Sequence, residues 1–417
     1  MSHIKNLILL IGLYISLIVG FLFDENLNYG SYYDWINVYV PPIKDFSENF
    51  YETLINFDQY GQRHSPIYLI FLSFFVDLGF NLDLIRLLHL HFCLVLILLF
   101  YHCLKLRFQK IDRSILQLLS MFIFLSPTFR SLSIWPDSRL PGLIIFILSI
   151  YFFLKFLKKD DYPKILNAWL SAFSLILSAY ISPNFSLFAF FTYFFFFKYL
   201  STKNFCLLVI LSTILSIPMF YYIFVMDVNF MTAGRTPGIN GDSIDFSFNF
   251  ANKFLIISTI IFFHLLPIIY LVTDHKKFFY FIKNKIIYFL PIFLVLVYFF
   301  DYRPEFTGGG FFYQLSIFMF ENNILFYLIS FYSLFWLYYF STISKKNFSL
   351  IFIVIVSNVQ NTIYHKYYEP LMLVLVFLLF TNLKFDNFFS KRVNLLYVYV
   401  FSFFYMFLRF FKNIFLV

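Results

Sequence analysis

The sequence predicts an all-α fold, a polytopic transmembrane helical bundle of about 13 helices with short interfacial helices in its first outer loop. Three observations predict it. The 417 residues are 61% hydrophobic and only 13% charged, where a soluble chain keeps about a quarter of its residues charged. Apolar runs of roughly 20 residues recur along the whole chain, each long enough to cross a hydrocarbon core of about 30 Å. The lysines and arginines fall largely in short loops between those runs, the distribution that orients membrane proteins. A transmembrane β-barrel would instead show alternating segments of about 10 residues.

Leu7–Phe23 follows a short basic start (His3, Lys5) and is followed by an acidic pair, with no small-x-small cleavage site. It therefore reads as a retained first helix and not as a signal peptide. In the loop 24–65, Tyr32, Trp35, Ile36 and Tyr39, then Phe46, Phe50, Leu54 and Phe57, recur near helical spacing on either side of Pro41-Pro42. That pattern predicts two short helices lying in the membrane interface. Pro66–Phe80 reads as a short, partly inserted helix on the outer side, and Leu84–Leu104 as the full crossing. Two full crossings here would put every later lysine loop outside. The remaining crossings are expected near 115–128, 140–157, 165–182, 184–200, 205–226, 253–273, 286–300, 321–341, 348–363, 370–383 and 394–411.

Basic loops lie around Lys105 to Arg113, Lys155 to Lys164, Lys198 to Lys203, Lys276 to Lys285, Lys345-Lys346 and Lys384 to Arg392. Placing them in the cytoplasm with the N-terminus leaves 24–65, 128–139, 182–184, 227–252, 301–320 and 364–369 outside. No linker or soluble domain interrupts the chain, so 1–417 reads as one integral membrane domain. The expected location is the bacterial cytoplasmic membrane.

The net charge of +9 sits in loops and not on a basic face, so no nucleic-acid partner is expected. Cys93, Cys103 and Cys206 lack metal-ligand or paired spacing and read as buried small hydrophobes. The glycine-rich segments Gly234–Asp242 and Arg303–Gly310 carry no P-loop lysine and read as flexible outer loops. Intramembrane charges are scarce: Asp77 and Asp83 flank the partial helix, and His89, His91, His102 and His264 are scattered. An ion-coupled transporter is expected to hold charges deep in several helices.

The chemistry-bearing residues are the few carboxylates and cations of the outer segments. Asp24-Glu25 opens the first outer loop. It is either a general base at the mouth of a cavity or a solvated pair at a helix end. Arg63 and His64 near the end of that loop are either lipid-phosphate contacts or interfacial anchors. Asp137 in Trp135-Pro136-Asp137-Ser138-Arg139 stands at a helix start, where Asp is an ordinary cap. Arg139 and Arg130 make a guanidinium pair suited to phosphate. His365 and Lys366 are cations on the outer side, suited to an anion at a helix end or to interfacial snorkelling.

Phe23-Asp24-Glu25, followed by Tyr29-Gly30, resembles the start of the outer loop in GT-C glycosyltransferases. The protein O-mannosyltransferases and the lipid A aminoarabinose transferase are members. His64-Ser65-Pro66-Ile67-Tyr68 is similar to the family's charged residue before Pro-Pro-Leu and an aromatic, with Ser65 in place of the first proline. Leu78-Gly79-Phe80 with Ile85-Arg86-Leu87, and Tyr364 to Pro370, resemble two further family runs.

The resemblance implies a glycosyltransferase that moves a sugar from a polyprenyl-phosphate donor to a lipid, glycan or protein acceptor at the outer face of the membrane. It implies Asp24 as the base, with Glu25 or Asp137 orienting the acceptor. Arg63, His64, Arg139, His365 and Lys366 would hold the departing phosphate. No metal site is expected from the outer carboxylates, although some relatives use a divalent ion. Asp34 is a second carboxylate on the same loop, and the choice among Asp24, Glu25 and Asp34 stays open. The rival readings are an oligosaccharide repeat-unit polymerase or ligase working from Arg235 or Arg303, and a non-catalytic lipid-linked sugar flippase or transporter.

Overall fold

The computed structural model describes residues 2–27, 30–61, 64–158, 164–230, 249–303, 308–358 and 362–415. Every regular element among them is helical. The chain divides into two compact units, Met1–Ile244 with Ser402–Val417, and Asp245–Phe401.

Among the described residues nine helices are long and apolar enough to cross a membrane. They are Ile4–Leu22, Leu82–Arg107, Arg139–Leu157, Lys164–Ile181, Thr202–Val225, Phe250–Val272, His275–Tyr298, Ile324–Ile343 and Arg392–Lys412. A tenth is broken, because Arg113–Leu125 and Pro127–Ile134 meet at 71°. The difference from the expected count has a physical reason. Phe188–Tyr199, Lys345–Val356 and Glu369–Leu378 have 12, 12 and 10 residues. At about 1.5 Å per residue they fall well short of a hydrocarbon core of about 30 Å. Ile67–Asp77, at 11 residues, is likewise short.

In the first unit, Arg139–Leu157 packs on Phe92–Arg107 and on Lys164–Ile181. Ser149 Oγ donates to Ser171 O (2.8 Å) and Ser171 Oγ donates back to Ser149 O (3.0 Å). Small hydroxyl residues of this kind allow close helix approach where there is no hydrophobic drive between helices. The contacts also sort the unit into two ends. Asn6 Nδ2 donates to Ser114 O and Gln117 Oε1, joining the chain start to the basic turn near Arg113. At the other end Tyr222 OH donates to Leu54 O (2.7 Å) and Arg409 Nε to Leu27 O (3.1 Å). Of the three cysteines, Cys93 and Cys103 are buried, but Cys206 is exposed.

The loop after the first helix departs from expectation at its prolines. Pro41-Pro42 do not separate two helices. The backbone runs helically from Gly30 through a π-turn at Trp35–Tyr39 into Val40–Glu48, and the break falls at Asn49. The prolines occupy the first turn of Val40–Glu48, directly after the π-turn, and their fixed φ suits helical backbone. The π-turn, closed by Val40 N–H on Trp35 O, makes room for their rings. Val40, Pro42, Ile43 and Phe46 are buried, and this helix packs on Ile67–Asp77.

In the second unit Phe250–Val272 is the hub, buried along most of its length and packed against Gly310–Phe320, Ile324–Ile343 and Glu369–Leu378. Lys384 Nζ pairs with Asp274 (2.9 Å), and Lys384 N–H bonds Val272 O. The lysine's hydrogen bond is the largest influence holding the Asp274 carboxyl below its ordinary value near 3.8. A depressed carboxylate pKa adds stability above the unfolded value and loses it as the pH falls through the folded one. The Tm difference between wild type and Asp274→Asn is therefore expected to be present at pH 7 and to shrink as the pH falls from the ordinary value near 3.8 through the lower folded one. A difference that does not shrink as the pH is lowered through the acid range would show that the carboxylate charge contributes nothing.

Candidate functional site

The candidate site is built on the end of the first helix. Phe23 N–H bonds Val19 O, Asp24 N–H bonds Phe21 O, and Glu25 N–H bonds Gly20 O (2.7 Å). This is a Schellman ending, whose left-handed residue is usually glycine. Here it is Asp24, at φ 50°. A side chain in that conformation costs roughly 1 kcal/mol, least for Asp and Asn. Such local strain, where seen, points toward a functional position.

The turn folds Glu25 back over Gly20, where a Cβ would lie 2.5 Å from Glu25 Oε2. Glu25 then takes a bidentate pair from Arg130, with Nε and NH2 each at 2.6 Å. Arg130 also donates to Ser16 Oγ (3.0 Å) and Ser16 O (2.9 Å). Arg130 is aimed by the start of its own helix: Ser126 caps it through Phe129 N–H, and Pro127 fills the first position. The side chains are 4% and 15% exposed, so this pair is mostly sealed from water.

Trp135 Nε1 donates to Glu25 O (2.8 Å). The Arg86 guanidinium lies 3.8 Å from the centre of the same indole and 4.9 Å from that of Phe21. Arg86 NH2 donates to Asp24 Oδ1 (2.8 Å) and NH1 to Asp83 Oδ1 (3.1 Å). Asp24 remains 63% exposed. Its second oxygen, Oδ2, makes no hydrogen bond among the described residues.

Asp137 is used differently. It accepts Arg139 N–H (2.8 Å), Nε (2.9 Å) and NH2 (2.6 Å), and both residues are buried. Tyr39 lies buried beside this pair, and burial, then the Asp137 charge, pushes its phenol well above the ordinary value. Nearby, Tyr68 OH bonds His89 Nδ1, whose Nε2 bonds Leu132 O (2.7 Å). Ser65 Oγ donates to Tyr180 O. His64 is half-buried beside it, and Arg63 lies outside the described residues.

His365 and Lys366 belong to the second unit. His365 Nε2 accepts the N–H of Phe311 (2.6 Å), and Nδ1 lies 2.8 Å from His264 Nε2. Gly308, Gly309 and Gly310 all take left-handed φ angles here, and Gly309 N–H bonds Ile363 O (2.9 Å). His365 thus caps the helix Gly310–Phe320. His365→Phe is expected to cost about 1–3 kcal/mol by orphaning that N–H, and His365→Gln much less; equal Tm losses in the two variants would refute the cap. Lys366 lies over the Tyr364 ring at 5.1 Å.

No protein-family model, curated protein or solved structure matches the chain. The contacts themselves carry the chemistry. Among the described residues no three His, Cys, Asp or Glu side chains gather as a metal site would require. The expected guanidinium pair of Arg130 and Arg139 is divided, each arginine holding its own carboxylate. Sequence reasoning passed over Arg86 and Trp135 as partners of the acidic turn. The available signal was the i, i+3 spacing of Asp83 and Arg86 and a tryptophan at a helix end.

Proposed function

We propose that the chain is a membrane glycosyltransferase of GT-C type. It would transfer a sugar from a polyprenyl-phosphate donor to an acceptor at the outer face of the membrane. The observation that carries the reading is Asp24: one carboxylate oxygen is tethered to Arg86, while the other is open and the side chain is largely exposed. Glu25 and Asp137 are each chelated by an arginine, which favours Asp24 over them as the base.

In this reading Asp24 Oδ2 takes the proton of the acceptor hydroxyl as its oxygen attacks the anomeric carbon. The bond from that carbon to the phosphate oxygen breaks, and polyprenyl phosphate leaves with both electrons. Arg139 would have to exchange Asp137 for the phosphate, so it is a weaker phosphate ligand than its position suggested. His365, within the second unit, is engaged as the cap of Gly310–Phe320, so it too is a weaker phosphate ligand than its charge suggested.

The test is purified protein in lipid with a panel of polyprenyl-phosphate sugars, scoring polyprenyl phosphate released by wild type and Asp24→Asn. Release that the variant abolishes supports the proposal. Release that continues unchanged in the variant removes Asp24 as base. Consumption of lipid-diphosphate oligosaccharides alone would assign the polymerase chemistry instead.

A further inference from the structure

We propose that Arg86 is the positioning residue of the transfer reaction, fixing the plane of the Asp24 carboxylate so that Oδ2 faces the acceptor. The inference rests on the reading of Asp24 as the base and adds to it a residue that does not touch substrate.

The arrangement inverts an ordinary surface ion pair. Exposed pairs of flexible chains hold neither partner in place and contribute about 0–1 kcal/mol. Here the cation is buried, 9% exposed, while its two carboxylates are 63% and 80% exposed. Arg86 cannot swing into water to follow Asp24, so Asp24 must come to Arg86. Stacking at 3.8 Å on Trp135 fixes the guanidinium plane, and planar stacking is a property that lysine lacks. Trp135 is in turn fixed by its bond to Glu25 O, and Tyr32 meets its ring edge-on at 5.0 Å.

The contacts close a ring. Asp24 is bonded to Glu25 through the peptide, Glu25 O holds Trp135, Trp135 holds Arg86, and Arg86 holds Asp24. A ring of this kind sets the carboxylate's direction as well as its place. It also explains why the residue of the left-handed turn is not glycine: the strained position is the one from which the carboxylate reaches Arg86 with a second oxygen left over. General-base catalysis needs the acceptor proton within hydrogen-bond reach, and a misplacement of 1 Å can lower the rate on the order of 10²-fold.

The experiment compares kcat and KM for polyprenyl phosphate release in wild type, Arg86→Ala, Arg86→Lys and Asp24→Asn, with and without added methylguanidinium. The expected result is a kcat for Arg86→Ala lower on the order of 10²-fold, with the donor KM unchanged. Methylguanidinium, filling the slot over Trp135, restores kcat at least tenfold in Arg86→Ala and has no effect on Arg86→Ala/Asp24→Asn. Arg86→Lys keeps the charge without the fork or the stack, and its kcat also falls, so the test holds even if the alanine variant does not fold.

A merely structural Arg86 would lower folded yield and Tm while leaving kcat per folded molecule intact, and that result overturns the proposal. So does a wild-type kcat in Arg86→Lys, or a loss that methylguanidinium does not relieve. Failure of the underlying reading looks different, because Asp24→Asn would then keep its activity or the wild type would release no polyprenyl phosphate.

Discussion

Asp24→Asn is expected to lower sugar transfer by about 10²–10⁴-fold, the usual contribution of a positioned general base, while the protein folds as before. Asparagine tolerates the left-handed turn as well as aspartate does, and its amide oxygen can still accept from Arg86. The substitution therefore removes the basic oxygen and little else. Glu25→Gln provides the contrast. It takes the charge from a pair that is mostly buried, so its effect should appear first in thermal stability. Release rates per folded molecule, measured beside Tm for both variants, separate the two carboxylates. Transfer lost in Glu25→Gln at undiminished Tm, with Asp24→Asn active, would reverse the assignment.

Arg130→Met is expected to destabilise the first unit by about 3–5 kcal/mol, the cost of leaving one member of a buried ion pair without its partner. Methionine retains much of the arginine stem, so packing changes little. What is lost is the bidentate hold on Glu25 and the two bonds to Ser16. The double variant Arg130→Met/Glu25→Leu removes both charges and should recover much of the loss. Thermal unfolding of the two variants in detergent measures this, and no recovery in the double variant would mean that the pair is not what holds the turn.

Much of the fold was legible because apolar run length is a direct physical requirement of the bilayer. The runs at 140–157, 165–182 and 253–273 appear as Arg139–Leu157, Lys164–Ile181 and Phe250–Val272. Length failed where an apolar run is not one helix. Residues 115–128 break at Ser126-Pro127, a serine cap followed by a first-turn proline, and Pro disfavours the helical conformation in the residue before it. Pro41-Pro42 misled in the opposite sense, because a π-turn ahead of them lets the helix continue.

In the site, the acidic turn stood out in sequence because carboxylates are rare among so many apolar residues. Its partners did not. Glu25 and Arg130 are 105 positions apart, and Asp24 and Arg86 are 62 apart. Pairing across such separations is decided by how helix ends meet, which no local spacing records. His264 and His365, 101 apart, were hidden for the same reason.

The first unit is discontinuous, completed by Ser402–Val417 only after the whole of Asp245–Phe401 has been made. A ribosome delivers the chain in order, so the later unit can finish first while the earlier one waits for its last piece. The bond from Arg409 to the carbonyl of Leu27, three residues beyond Asp24, can then form only after the second unit has been made. A nascent chain halted before residue 402 would carry the acidic turn without that bond. Closure of the acidic turn is thereby tied to a segment made after the whole of the second unit.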